Sequence, residues 1–104
     1  MKQIIEIKPG SLSLVESGDK VITIQKGRRL YNLGDATLID PLDSKEINVE
    51  ILRVSYSKLK DIQNVDLYIH GEKTWQQLLE YLQQYYSDIK KDSTITVVRF
   101  KKSK

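Results

Sequence analysis

The sequence predicts an α+β protein: a small, strongly bent sheet or barrel of about five to six strands, with one long helix and one or two short helices. Two observations lead to this fold class. Short segments rich in β-branched residues recur along the chain, whereas only one segment has a clear helical period. The predicted order is strand, short helix, three strands, helix and strand, which argues against a regular alternation of strands and helices.

Three strands and a short helix are predicted in the first part of the chain. Residues 3–7 are rich in isoleucine and form the first strand, and residues 11–18 form the short helix. The second strand covers residues 20–25 and runs into a basic turn at residues 26–29. Residues 36–39 form the third strand, after a turn that contains glycine and aspartate.

The second part of the chain contains the longest predicted strand and the longest predicted helix. The strand covers residues 46–56, where apolar and polar residues alternate at first with a period of two. A helical turn is expected within residues 57–62, and the closing strand covers residues 94–100. The long helix covers residues 74–87, and its apolar residues recur at three- and four-residue steps: Trp75, Leu78, Leu79, Leu82 and Tyr86.

Composition excludes several classes of protein. A chain of 104 residues can bury one core, so we expect a single domain over residues 1–104. The absence of cysteine excludes disulfides, thiolate metal sites and cysteine nucleophiles, and with a single histidine we expect no metal site. The net charge of +3 is too small for a dedicated nucleic-acid-binding surface. No apolar run is long enough for a membrane span, so we expect a cytoplasmic protein.

Four segments, in this order, resemble the ASCH domain, a family of PUA-like β-barrels. They are GDKVITIQ at residues 18–25, NLGD at residues 32–35, VEILRVSY at residues 49–56 and TVVRF at residues 96–100. The resemblance covers nearly the whole chain, with the family's order of elements and total length. It implies that the predicted bent sheet is a PUA-like barrel.

With threonine at position 23, the chain resembles one group within this family. Many ASCH domains have glutamate there, whereas the small bacterial N(4)-acetylcytidine amidohydrolases have threonine. The resemblance implies a catalytic set of Lys20, Thr23 and Glu72, because Glu72 is the glutamate that lies just before the predicted long helix. It also implies that the enzyme removes the acyl group from an N(4)-acylated cytidine or cytosine without a metal or an organic cofactor.

Amide hydrolysis by this set requires specific protonation states. Lys20 can take the proton of the Thr23 hydroxyl only when its amine is neutral, which requires burial to lower its pKa. Thr23 then attacks the acyl carbon, and Glu72 transfers protons to the leaving amine and from water. Residues three apart on a regular strand point to opposite faces, so the hypothesis predicts an irregular backbone between Lys20 and Thr23.

Five further residues are expected to bind substrate: Gln25, Arg28, Arg29, Tyr56 and His70. Gln25 stands where many ASCH domains have arginine, and it can supply only an amide hydrogen bond. Tyr56 can stack on a base, and the two arginines can attract a phosphate. The expected partners are a small nucleoside substrate and possible RNA, without a membrane, and we expect a monomer or a weak dimer.

Two other functions remain open from the sequence. A non-catalytic ASCH module would bind RNA or a nucleotide in the same cleft, and Arg28, Arg29 and the basic tail would then matter more than Lys20. A nuclease is the third hypothesis, and it is the weakest because the sequence shows one histidine and no metal-binding motif.

Overall fold

The computed structural model describes residues 3–8, 12–18, 21–42 and 45–103. In chain order its elements are β1 (Gln3–Glu6), α1 (Leu12–Glu16), β2 (Ile22–Lys26), β3 (Gly34–Ile39), β4 (Glu46–Lys58), a 3₁₀ turn (Leu59–Asp61), α2 (Asn64–His70), α3 (Trp75–Gln83) and β5 (Thr94–Lys102). Within these described ranges, no helix is long and apolar enough to cross a membrane.

The five strands form one curled sheet in the order β1-β3-β4-β5-β2. β1 runs parallel to β3, and the other neighbouring strands are antiparallel. The curl brings the two end strands together: Gln25 Nε2 donates to the backbone oxygen of Glu6 at 3.2 Å, and Lys8 Nζ donates to the backbone oxygen of Ile24. The sheet is therefore a half-barrel whose open side is bridged by side chains, which confirms the predicted α+β class and bent sheet.

The sheet separates two hydrophobic cores. The α1 face carries the core that packs against α1, and it includes Ile5, Ile7, Leu12, Val15, Ala36, Leu38, Val49, Ile51, Val98 and Phe100. The α3 face lies under α2 and α3, and its core includes Ile22, Ile24, Leu67, Leu78, Leu82, Ile95 and Val97. Because side chains alternate along a strand, Thr23 and Gln25 of β2 lie on the α1 face, opposite Ile22 and Ile24.

A β-bulge at Leu52 divides β4 into two halves. Ile51 lies opposite Phe100, whereas Arg53 lies opposite Arg99, so one extra residue is inserted in β4. Before the bulge, odd-numbered residues such as Ile51 belong to the α1-face core, and after it the even-numbered Val54 packs against that core. The alternation predicted for this strand therefore changes phase at Leu52.

The structure differs from the sequence prediction in its second helix. The turn expected within residues 57–62 is the 3₁₀ turn, but α2 follows it and was not predicted. Periodicity missed α2 because the helix is only seven residues long and one of its buried positions is the polar Asp66. It ends at Gly71, whose φ of 112° is a left-handed conformation that glycine adopts without strain.

The long helix α3 is shorter than the predicted range 74–87. It begins after Thr74, whose side chain accepts a hydrogen bond from Gln77 N at 3.2 Å and so caps the helix. Its C-terminal turn is tightened by i→i+3 hydrogen bonds, including one of 3.0 Å from Tyr85 N to Leu82 O. The helix therefore ends at Gln83, and the following residues turn back towards the sheet.

The closure of the half-barrel predicts an unequal effect of two lysine substitutions. In Lys8→Met, the buried oxygen of Ile24 loses its donor, and we expect the free energy of unfolding to fall by about 1–3 kcal/mol. Lys102→Met is the matched control, because Lys102 Nζ donates to Glu16 O at 3.1 Å in an exposed position, and its expected effect is below about 0.5 kcal/mol. Urea denaturation measures both. An equal loss of unfolding free energy in the two variants would contradict the closure of the half-barrel by Lys8.

Candidate functional site

A cavity of about 210 Å³ lies where β1 and β2 face each other without a backbone ladder. It is lined by Glu6, Ile7, Lys8, Pro41, Tyr85 and Tyr86. Lys8 is 5% exposed, and its ammonium lies 5.8 Å from the centre of the Tyr86 ring. The Lys8 ammonium and the Tyr86 ring therefore form part of the cavity wall in the side-chain-bridged gap between β1 and β2, which we call the seam.

Gln25 connects this seam to the loop between β2 and β3. Its Nε2 donates to Glu6 O, and its Oε1 accepts a hydrogen bond of 2.7 Å from the Tyr31 hydroxyl. Burial raises the pKa of Tyr31, while the hydrogen bond to Gln25 works in the opposite direction. The Tyr31 hydroxyl is therefore protonated at neutral pH, and the amide of Gln25 is held at both ends.

A larger pocket of about 410 Å³ lies on the other side of Tyr31. β3 pairs with β4 only as far as Gly34 and Ile51, so the second half of β4 has a free edge there, and the loop before β3 folds beside it. We call this pocket the tyrosine groove, and its lining residues are Tyr31, Asn32, Leu33, Leu52, Arg53, Val54 and Tyr56.

Three of the residues expected to bind substrate meet at the end of the tyrosine groove. The Arg28 guanidinium lies 4.2 Å from the centre of the Tyr56 ring, within the range of a cation–π contact. The Tyr56 hydroxyl donates to the backbone oxygen of Arg29 at 2.6 Å, and Arg29 N donates to Thr96 Oγ1 at 2.8 Å. These bonds fix the basic turn against β4 and β5, so Arg28, Arg29 and Tyr56 lie next to one another.

His70 and Glu72 form a separate pair at the end of α2. Glu72 Oε1 lies 2.7 Å from His70 Nδ1, and the two side chains are 12% and 4% exposed, respectively. The His70 ring packs edge-on against Tyr81 of α3 at 5.0 Å, and burial raises the pKa of Tyr81. This pair therefore belongs to the helix layer that covers the α3 face, away from the tyrosine groove.

Thr23 is fully buried, and its hydroxyl has no hydrogen-bond partner among the described residues. Its side chain lies on the α1 face, and among the described residues no hydrogen bond or ion pair joins it to Glu72. Lys20 lies outside the described residues, so the irregular backbone expected before Thr23 also falls there. From Ile22 onward, β2 pairs with β5 without a break in register.

Sequence reasoning did not identify two central residues of the site, Lys8 and Tyr31. Lys8 follows the isoleucine-rich β1, and a lysine before a proline and a glycine is the ordinary pattern of an exposed strand end. Tyr31 lies between two turn segments, where an aromatic residue is the only available signal. The bond from Lys8 to Ile24 and the bond from Tyr31 to Gln25 join residues that are at least six positions apart. Local sequence patterns do not describe the chain reversals that bring these residues together.

Comparisons with known proteins give structural matches only. No protein-family model matches the sequence, and no curated protein matches it either. Protein EF3133 from Enterococcus faecalis V583, of family DUF984, has a similar crystal structure: the TM-score is 0.72 at 14% identity, over 98% of this chain and 80% of that protein.

Two further crystal structures are similar. The ASCH domain from Lactobacillus crispatus JV V101 matches with a TM-score of 0.65 at 15% identity, over 86% of this chain and 68% of that one. The hypothetical protein PH0355 matches with a TM-score of 0.70 at 14% identity, over 99% and 100%. The strand order, the curled sheet and these matches agree with the resemblance found in the sequence. The chain therefore has the small α+β, PUA-like fold of an ASCH domain.

Proposed function

We propose that this chain binds a nucleoside or nucleotide, with the base in the tyrosine groove. The observation that carries the proposal is the arrangement of Tyr31 and Tyr56 around one open pocket, with the Arg28 guanidinium stacked on Tyr56. Aromatic rings and guanidinium planes are the surfaces on which proteins stack unpaired bases. The pocket volume of about 410 Å³ falls in the range of small-ligand sites.

Polar groups around the groove support recognition of a base edge. Asn32 lines the groove, and its amide can donate to and accept from the polar edge of a cytosine ring. The Tyr31 hydroxyl donates to Gln25, so towards the ligand it can only accept. Gln25 does not line the groove and both ends of its amide are hydrogen-bonded, so we propose that it positions Tyr31 instead of contacting the ligand.

Replacement of the stacking surface is expected to weaken binding. In Tyr56→Leu, cytidine loses an aromatic face, and we expect affinity to fall about 10-fold, in line with the energy of one base stack. Tyr68→Leu is the control, because Tyr68 is 82% exposed on α2, outside the groove, and that variant is expected to bind as the wild type does. Isothermal titration calorimetry with cytidine measures both. Unchanged affinity in Tyr56→Leu, or an equal loss in Tyr68→Leu, would contradict binding in the groove.

A second candidate function is hydrolysis of an N(4)-acylated cytidine or cytosine. The observation that favours it is the Thr23 hydroxyl, which is fully buried and has no hydrogen-bond partner in the part of the chain that the structure describes, although most buried polar groups are hydrogen-bonded. A buried hydroxyl without a partner lowers the stability of the fold, and this one lies three residues after Lys20 in the sequence. In this candidate, Lys20 takes the hydroxyl proton, and the oxygen attacks the acyl carbon.

The part of Glu72 in this hydrolysis needs a rearrangement. Its carboxylate is held by His70 at 2.7 Å, in the helix layer on the opposite face of the sheet from Thr23. Glu72 would have to leave His70 to transfer a proton to the departing amine. The hydrolase proposal therefore rests mainly on Lys20 and Thr23, with water as the alternative proton carrier.

Thr23→Val separates a catalytic threonine from a structural one. The substitution removes a hydroxyl that no described residue hydrogen-bonds, so the free energy of unfolding is expected to stay equal or rise by up to about 1 kcal/mol. If Thr23 is the nucleophile, the rate of N(4)-acetylcytidine hydrolysis falls more than about 100-fold, as it does in Lys20→Ala. Chromatographic detection of released cytidine measures the rate.

The control for this experiment is Thr37→Val. Thr37 is also buried, but its hydroxyl bonds to Asn48 Oδ1 at 3.2 Å on the β3–β4 ladder, so its removal should leave turnover unchanged. Turnover that survives Thr23→Val would exclude the threonine nucleophile. A wild type that binds cytidine without hydrolysing the acetylated form would leave binding as the function.

A further inference from the structure

Two arginines lie directly opposite each other next to the β-bulge. Arg53 of β4 is the register partner of Arg99 of β5, and both are half-buried. Side chains at directly opposed positions of an antiparallel pair have Cβ atoms about 4.5–5.5 Å apart, and like charges there destabilise the sheet. The arrangement therefore has a cost for the ligand-free protein.

No acidic side chain in the described part of the chain forms an ion pair with either arginine. Arg53 Nη2 donates to the side-chain oxygen of Gln63 at 3.2 Å, which orients the guanidinium without neutralising it. Glu50 is on the same ladder, but its carboxylate pairs with Lys101 at 3.6 Å. One cross-strand pair is thus complementary, and the pair beyond the bulge is purely positive.

We propose that Arg53 and Arg99 together bind a phosphate group of the ligand whose base occupies the tyrosine groove. The inference rests on the proposed function, and it names the ligand as a nucleotide or RNA rather than a free nucleoside. Arg53 lines the tyrosine groove, so it connects the two parts of the site. Guanidinium groups bind phosphate oxygens through paired hydrogen bonds, and a phosphate between them would remove the repulsion.

The bulge explains how this strand can serve both parts. If Leu52 paired regularly with Arg99 and no bulge formed, position 53 would keep the phase of Ile51 and lie on the α1 face. With the bulge, Arg53 lies on the same face as Arg99, while Val54 and Tyr56 turn towards the α1 face. Tyr56 thus lies on the α1 face and the arginine pair on the other face of the sheet, so a ligand that contacts both would pass around the free edge of β4 beside Arg53.

The test compares ligands that differ by one phosphate. Cytidine, cytidine 5′-monophosphate and a cytidine trinucleotide are titrated at low salt into the wild type and into Arg53→Gln, Arg99→Gln and Lys101→Gln. Lys101→Gln is the matched control, because it removes one charge from the same strand and face. We expect the wild type to bind the monophosphate about 10-fold more tightly than cytidine, with the gain lost in both arginine variants and kept in the control.

Melting temperature and salt dependence separate binding from a structural role. Arg99→Gln should keep or raise the melting temperature of the ligand-free protein, because the substitution removes the repulsion. The same variant should also make trinucleotide binding less dependent on salt. The slope of the logarithm of the binding constant against the logarithm of the salt concentration should fall in magnitude by about 1, which corresponds to one phosphate contact. A gain confined to the trinucleotide identifies an RNA phosphodiester, and a gain already present with the monophosphate identifies a nucleotide phosphate; either outcome supports the site.

Several outcomes would overturn the inference. If cytidine binds and its phosphorylated forms bind no better, the groove is confirmed and the phosphate site is wrong. The phosphate site is also wrong if Arg99→Gln still binds the monophosphate more tightly than cytidine, or if that variant has a clearly lower melting temperature than the wild type. If no cytidine ligand binds, the groove proposal fails. A titration with inorganic phosphate, followed by NMR, then tests whether the arginine pair binds phosphate on its own. Shifts of the Nε–H resonances of Arg53 and Arg99 would support that binding, and unchanged resonances would exclude it.

Discussion

The end strands of the sheet, β1 and β2, are joined by hydrogen bonds from side chains to backbone oxygens instead of by a ladder of backbone bonds. Lys8 and Gln25 each span the gap, so the strands stand farther apart than the usual 4.7–4.9 Å of paired strands. A closed barrel would fill this space with backbone. The half-barrel instead leaves a cavity between its edges, and the buried amine of Lys8 forms part of the wall.

Two separate sets of hydrogen bonds hold the tyrosine groove in place. Gln25 donates to Glu6 O and accepts from the Tyr31 hydroxyl, so Tyr31 connects the groove to the seam. At the far end, the Tyr56 hydroxyl and Thr96 hold the basic turn in place. The position of Tyr31 therefore depends on the side-chain bonds that join β1 and β2, whereas Tyr56 depends on the basic turn.

The architecture could be predicted from the sequence because its signals are local. The alternation in β4 and the helical period of α3 belong to single segments, and the structure confirms both elements. The site could be predicted only in part. The structure brings Arg28, Arg29 and Tyr56 together, and their binding of substrate stays a prediction. The contact of Glu72 with His70 and the position of Thr23 on the other face depend on how the layers stack. No segment taken alone contains that information.

The bulge left a trace that sequence reasoning overlooked. In β4 the apolar residues occupy odd positions through Ile51 and even positions from Leu52 to Tyr56, so the change of phase is visible in the printed sequence. Isoleucine followed at once by leucine is equally typical of a continuous buried strand, which is what the sequence predicts over residues 46–56. Lys8 left no comparable trace, because its burial depends on the curl of the whole sheet.

Because of the bulge at Leu52, substitutions in the two halves of β4 affect different parts of the protein. Before the bulge, alternate residues such as Val49 and Ile51 face a core that tolerates only apolar side chains of similar volume, whereas Leu52, Arg53, Val54 and Tyr56 line a groove open to solvent. A substitution beyond the bulge can therefore change the lining of the groove without disturbing the first half of the strand. If Leu52 instead paired regularly with Arg99, inward and outward positions would be exchanged throughout the second half, so the bulge at this exposed leucine sets which side chains face the groove.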